Sequence, residues 1–226
     1  MLFRSREELE AGGVRQAWIF TTDGLIRDTE RHNDELARAV RDHRDFFVPF
    51  CTVDPHRGAE AACRELDRCA RELGLRGLKL HPWLQSFSMT NPAVVPVFER
   101  AAALGLPVFL HDGSPPYSAP LQIAWVAERV PAATVILGHA GLDDLVDDAV
   151  RACRRQPNVH LCICGPSCGG IAEIVARAPV ERLLFGSDGG FSAGVVEHFA
   201  ERLRAVVSDE ATLRRIFWEH PRRLLS

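Results

Sequence analysis

Short runs of β-branched and apolar residues recur along this chain at near-regular intervals, each ending in a polar or reactive residue followed by a break. The clearest is Pro107-Val-Phe-Leu-His111-Asp-Gly113, which delivers a histidine to the end of an apolar run and then stops at glycine. Similar runs end near Thr21, Cys51, His81, His139, Cys164 and Asp188. Between them lie segments with Glu, Arg and Ala on one face and Leu or Val on the other, so strand alternates with helix throughout. Such alternation confines the chain to βαβ units, a parallel sheet covered by helices. Chemistry in these folds gathers at the carboxyl ends of the strands. Attention therefore falls on His111, His139 and Asp188, with His81 a fourth candidate.

The 226 residues suffice for one barrel-sized domain, and nothing in the interior reads as a linker, so residues 1–226 are taken as a single domain. A net charge of -3 and a pI of about 6.3 give no electrostatic reason to expect nucleic acid or an anionic membrane as partner. The first residues lack the apolar core of a signal peptide, and no run reaches membrane-spanning length, which points to a cytoplasmic protein. Seven cysteines, an odd count scattered over the chain, suit a reducing compartment. Cys162, Cys164 and Cys168 form a C-x-C-x3-C cluster, but Cys162 and Cys164 fall on one face of a strand and read as small buried hydrophobes.

Taken in order, residues 5–12 end a helix stopped by Gly12-Gly13. A strand 16–21, a helix 29–42, a strand 46–53 and a helix to Leu73 follow. In the next strand, Gly77-Leu-Lys-Leu-His81, side chains alternate between faces. Leucines suit the helix-covered outside, so Lys79 and His81 should point to the barrel interior or its mouth. The loop 82–90 carries Trp83, Gln85 and Phe87 and is apolar enough to wall a pocket, and the loop 112–120 carries Tyr117; Trp83, Phe87 and Tyr117 are placed at the mouth, as for a flat ligand. Closing helices are expected over 194–207 and 209–218.

A divalent ion of the zinc type is held by neutral imidazoles and carboxylates, with one position left open for water. It lowers the pKa of that water, and a neighbouring carboxylate shuttles the proton. His111 and Asp188 fit as ligands. His139 either completes the set or orients the water, and Asp188 can serve as ligand and general base together. Lys79, His81, Trp83 and Tyr117 are assigned to substrate binding.

Four segments, Gly77-Leu-Lys-Leu-His-Pro82, Pro107-Val-Phe-Leu-His-Asp-Gly113, Ile136-Leu-Gly-His-Ala-Gly141 and Leu183-Leu-Phe-Gly-Ser-Asp188, in this order resemble the amidohydrolase-related metal-dependent hydrolases. Within them the resemblance is to the branch that includes aminocarboxymuconate-semialdehyde and resorcylate-type decarboxylases. It implies a TIM-type (β/α) barrel and a mononuclear metal, commonly zinc, with manganese as the alternative. It further implies His111 as ligand, His139 beside the metal water, and Asp188 as ligand and proton-transfer group. Members of that family begin with a strand carrying H-x-H, and no H-x-H occurs in this sequence. Seven strands rather than eight are expected, with strand 1 missing and the edges near Thr21 and Asp188 unpaired unless another chain, as in a homodimer, closes them. His220 also stands where the family usually has asparagine.

The leading expectation is a metal-dependent hydrolase that cleaves an amide, ester or lactone of a small carboxylated or cyclic substrate. A nonoxidative decarboxylase with the same ligands is second, since fold and ligands do not separate the two chemistries. A metal-free barrel that binds without turnover is third, and the related deoxyribonuclease-like group ranks last, because Leu78-Lys-Leu-His81 stands where that group has a Glu-containing strand.

Overall fold

The computed structural model describes residues 2–189 and 194–225. Seven strands form one sheet: β1 (Ala17–Phe20), β2 (Phe47–Cys51), β3 (Gly77–Leu80), β4 (Val108–Leu110), β5 (Val135–Leu137), β6 (Val159–Ile163) and β7 (Leu183–Phe185). Each pairs in parallel with the next, so spatial order equals chain order. Eight helices precede, link or follow them: α1 (Leu2–Ala11), α2 (Thr29–Ala39), α3 (Ala59–Arg71), α4 (Val94–Ala103), α5 (Pro120–Arg129), α6 (Val146–Arg155), α7 (Cys168–Arg177) and α8 (Val195–Val206). The closing helix expected over 209–218 is instead α9 (Glu210–Arg214), which widens into a π turn (Arg215–Glu219) and continues as α10 (His220–Arg223). No helix among the described residues is long and apolar enough to cross a membrane.

Period-2 alternation divides the strands into two faces. The outer set, including Leu78, Leu80, Val108, Leu110, Val135, Leu137, Val159 and Leu161, packs under the helices in one continuous core. Full burial of each such side chain contributes about 1.5–3 kcal/mol relative to exposure. The inner set gathers Ile136, Cys162, Cys164 and Leu184, with Trp18, Phe109 and Leu224 against them. Trp18 on β1 and Leu184 on β7 thus share one cluster, so the sheet is curled as in a TIM barrel. Among the described residues β1 and β7 are not paired, which leaves the barrel open along the two edges foreseen from the sequence. Leu224, from the segment after α10, packs into this inner cluster, and Arg76 donates to the Leu225 carbonyl at 2.6 Å.

Two local features explain strand limits. Pro49 lies in β2 where that strand runs beyond the start of β3, whose pairing begins at Phe50 and Gly77, so its missing N–H costs no ladder bond there. A Cβ at Gly77 would run into the Phe50 ring, so only glycine fits at the start of β3. The last run, expected as strand to Asp188, is paired only to Phe185, and Asp188 turns into the left-handed region at φ 51°.

Candidate active site

Register brings the histidines together. Leu80 pairs with Leu110 and Leu110 with Leu137, so His81, His111 and Gly138 stand at one level, with His139 one residue further on. The His111 amide donates to Leu80 O at 3.0 Å and the Gly138 amide to Leu110 O at 2.8 Å, extending the ladder to the site itself. The His81 and His111 rings stack with centroids 3.8 Å apart and planes 10° apart. The His139 ring meets His111 edge-on, at 4.6 Å and 68°.

Below them Lys79 points into the sheet interior, as alternation foretold. It is 3% exposed, with Nζ 4.7 Å from the centre of the Phe20 ring and 4.9 Å from that of Phe109. Burial draws its ammonium down to about 8, while the charges of Asp188 and Asp112 pull it back up. Burial also pushes the imidazoles of His81 and His111 down, to about 3 and about 2, and neighbouring charge on Lys79 and His139 adds to both shifts. Both rings are therefore neutral near pH 7, the form that offers a lone pair or a neutral N–H.

The orientation of each ring is fixed by a different partner. His139 Nδ1 lies 3.0 Å from the Cys164 carbonyl, to which it donates, so in the neutral ring the lone pair is on Nε2. His111 Nε2 meets Ser114 Oγ at 2.9 Å. His81 Nδ1 accepts from the Leu84 amide at 3.3 Å, which leaves the proton of the neutral ring on Nε2. The buried unpaired side-chain atoms among the described residues are His32 Nε2 and Ser118 Oγ, so the free Nε2 atoms of His81 and His139 open to solvent.

Two residues to which the sequence assigned no catalytic or binding role hold this arrangement. Asp112, fully buried, accepts from the His139 and Gly141 amides at 2.6 Å each, which clamps the turn that presents His139. Burial raises its pKa, against the two amides and the charge of His139. Gln85 accepts from the His81 amide at 2.8 Å and donates to Val53 O at 2.8 Å, tying the ends of β2 and β3. A carboxylate directly after the His111 strand and before Gly113 was a usable signal for Asp112; a single glutamine in an apolar loop offered none for Gln85.

The other expected site residues divide. Asp188 is exposed, and its charge is felt at Lys79, Cys162 and Cys164. Trp83 is 56% exposed with its ring 6.1 Å from His81. Tyr117 is half-buried in the loop after His111, its amide bonded to Ser114 O. Phe87 does not line the mouth; it is 3% exposed and belongs to the outer core, because the loop folds its apolar residues inward. Cys162 and Cys164 are buried in the inner cluster, and Cys168 is exposed.

A zinc or manganese centre needs three or more donors around one point. Among the described residues no such group of His, Cys, Asp or Glu is gathered. His111 and His139 are adjacent, but with Asp188 they do not form a complete ligand set, so these residues by themselves do not fit the metal.

Comparison with known proteins sets this geometry in context. The chain is 28% identical over 138 residues to the 2-amino-3-carboxymuconate-6-semialdehyde decarboxylase of Dictyostelium discoideum, covering 58% of this chain and 35% of that one. It is 29% identical over 147 residues to the gamma-resorcylate decarboxylase of Polaromonas sp., covering 49% and 44%. The chain thus spans less than half the length of the curated relatives it matches. Among solved structures, an uncharacterized TIM-barrel protein from Bordetella bronchiseptica superposes with TM-score 0.81 at 20% identity, over 100% of this chain and 82% of that one. A dihydroxybenzoic acid decarboxylase from Polaromonas sp. JS666, with bound manganese and the inhibitor 2-nitroresorcinol, gives 0.76 at 20%, over 100% and 86%. These matches overturn the expectation of amide, ester or lactone hydrolysis: both curated relatives are decarboxylases, and the described residues assemble no ligand set to activate hydroxide. The amidohydrolase family model Amidohydro_2 matches residues 8–226, nearly the whole chain, and the protein belongs to that family.

Proposed function

We propose that this chain catalyses, or forms the main part of an enzyme that catalyses, nonoxidative decarboxylation of a small unsaturated or aromatic carboxylic acid. The observation that carries the choice of reaction is the pair of curated matches, both of which cleave a carbon–carbon bond to a carboxylate. In the proposed reaction the bond to the carboxylate breaks, its electron pair stays on the substrate carbon, a proton is delivered there, and CO2 leaves. The ammonium of Lys79, buried beneath the histidines, attracts the anionic substrate toward them. Neutral His81 donates to an oxygen of the substrate, and His139, with its free Nε2, accepts from a substrate hydroxyl. Asp188, at the exposed end of the β7 segment, carries the proton between solvent and substrate. Trp83 and Tyr117 flank a planar ligand.

The test is release of CO2 from 2,6-dihydroxybenzoate, 5-carboxyvanillate and muconate-type acids, run beside a panel of lactones and amides. Turnover of an acid, lost in Asp188→Asn, supports the reading. Cleavage of a lactone or amide without CO2 sinks it. A second reading, a barrel that binds such acids without turning them over, draws on the incomplete ligand set. Saturable binding of an acid with no CO2 over long incubation decides for it.

A further inference from the structure

Every polar atom of His81 except one is occupied by the turn that follows it. The Gln85 amide donates to the His81 carbonyl at 2.9 Å, the Gln85 carboxamide accepts from the His81 amide at 2.8 Å, and the Leu84 amide donates to Nδ1 at 3.3 Å. Pro82 starts the turn, Ser86 closes it with φ 55°, and buried Phe87 and Met89 anchor its exit in the core. The Gln85 side chain is 8% exposed; its Nε2 is spent on Val53 O and lies 3.5 Å from Thr52 Oγ1, while its backbone carbonyl meets His56 Nε2 at 2.8 Å. Thr52 is held in turn by both ends of the buried Asn33 carboxamide, and Asn33 by Glu65. The turn is thus bolted to β2 as well as β3.

From this geometry we infer that His81 is a fixed neutral hydrogen-bond donor, its proton on Nε2, and that Gln85 is the positioning residue that holds it so. In its neutral form His139 carries the opposite polarity: its Nδ1 proton goes to Cys164 O, so its Nε2 is the acceptor. The site therefore takes a ligand that offers an oxygen acceptor to His81 and a donor to His139, a selection that neither ring can relax by flipping. This deepens the decarboxylase reading by naming how an acid is oriented, and it rests on that reading only for the choice of ligand.

The experiment is a long-range proton–nitrogen spectrum of chain labelled with 15N-histidine, with the His81 signals assigned by their loss in His81→Gln. A bare Nδ1 and a protonated Nε2 for His81 support the inference; a protonated Nδ1, or averaged shifts for both nitrogens, overturns it. In Gln85→Leu the two His81 nitrogens should move toward averaged shifts while those of His139 hold still. Unchanged His81 signals in that variant would remove Gln85 from the role. Binding of 2,6-dihydroxybenzoate gives an independent arm. The His81→Gln amide nitrogen can stand near the position of Nε2, and that of His81→Asn near Nδ1. The Gln variant should bind within roughly threefold of wild type and the Asn variant roughly tenfold more weakly, the scale of one lost hydrogen bond; the reverse order overturns the donor role. If wild type fails to bind or turn over any acid, the decarboxylase reading fails while the tautomer result still decides the inference.

Discussion

The two faces of the sheet are built from alternate residues of the same strands, and they obey different rules. Outside, Leu78, Leu80, Leu110 and Leu137 meet helices in an apolar layer in which position matters only for shape. Inside, Lys79, Phe109 and the strand-end histidines meet one another, and charge, tautomer and access to water decide what each does. Residues adjacent in sequence thus serve stability and chemistry separately. A change on one face should leave the other nearly untouched, and that separation can be attacked directly.

The largest effect on stability is expected outside. Leu137→Ala should cost about 2–5 kcal/mol in urea unfolding, because Leu137 is fully buried and its surroundings close only partly over the void. Ligand binding by the folded fraction should stay as it was, and a loss of affinity would show that the faces are coupled. Next comes Asp112, the inner residue that behaves most like core. Asp112→Asn leaves one of two buried amides without its acceptor, at about 1–3 kcal/mol. It should also unfix the His139 turn, so turnover must fall by more than the folded population does.

Glu65 on α3 reverses the pattern, being a carboxylate inside the helix layer. Burial works against its ionised form, but hydrogen bonds from Arg68, Asn33 and Cys69 outweigh it and leave its pKa below the ordinary value. Its stabilisation is therefore present at neutral pH and lost as pH falls through that lowered value. Glu65→Gln should be less stable than wild type by about 1.5 kcal/mol at neutral pH, with the gap closing in acid. A gap that persists in acid would assign the effect to packing. The smallest change in stability belongs to Lys79→Met, since exchanging a buried charge for an apolar chain of similar size stays within about 1 kcal/mol or is stabilising. Binding of an anionic acid should nevertheless be lost, as isothermal calorimetry would show.

This contrast also marks what the sequence could disclose. Alternation placed Leu78 and Leu80 outside and Lys79 inside, and the strand-end histidines converged because parallel register follows from near-equal repeat lengths. Those are local patterns, repeated enough to read. Phe87 was misplaced because an apolar loop residue looks the same whether it walls a mouth or plugs a core. Gln85 and Asp112 received no positioning role because their partners, Val53, His139 and Gly141, lie in the segments that follow other strands. A three-donor metal set was anticipated from residue types at strand ends and from the family resemblance, and the convergence such a set needs is a property of three dimensions.

Leu224 and Leu225 lie far along the chain from what they touch: Leu224 reaches the inner cluster that includes Trp18, and the Leu225 carbonyl takes the Arg76 guanidinium. During synthesis each βα unit can dock on the one before it as it emerges, so the helix-covered side can be laid down progressively. The inner cluster has no such option, because its floor is translated only after all seven strands. Until then a ribosome-bound chain presents Trp18, Phe109 and Ile136 without their lid, and that nascent interval is when a chaperone has most to protect.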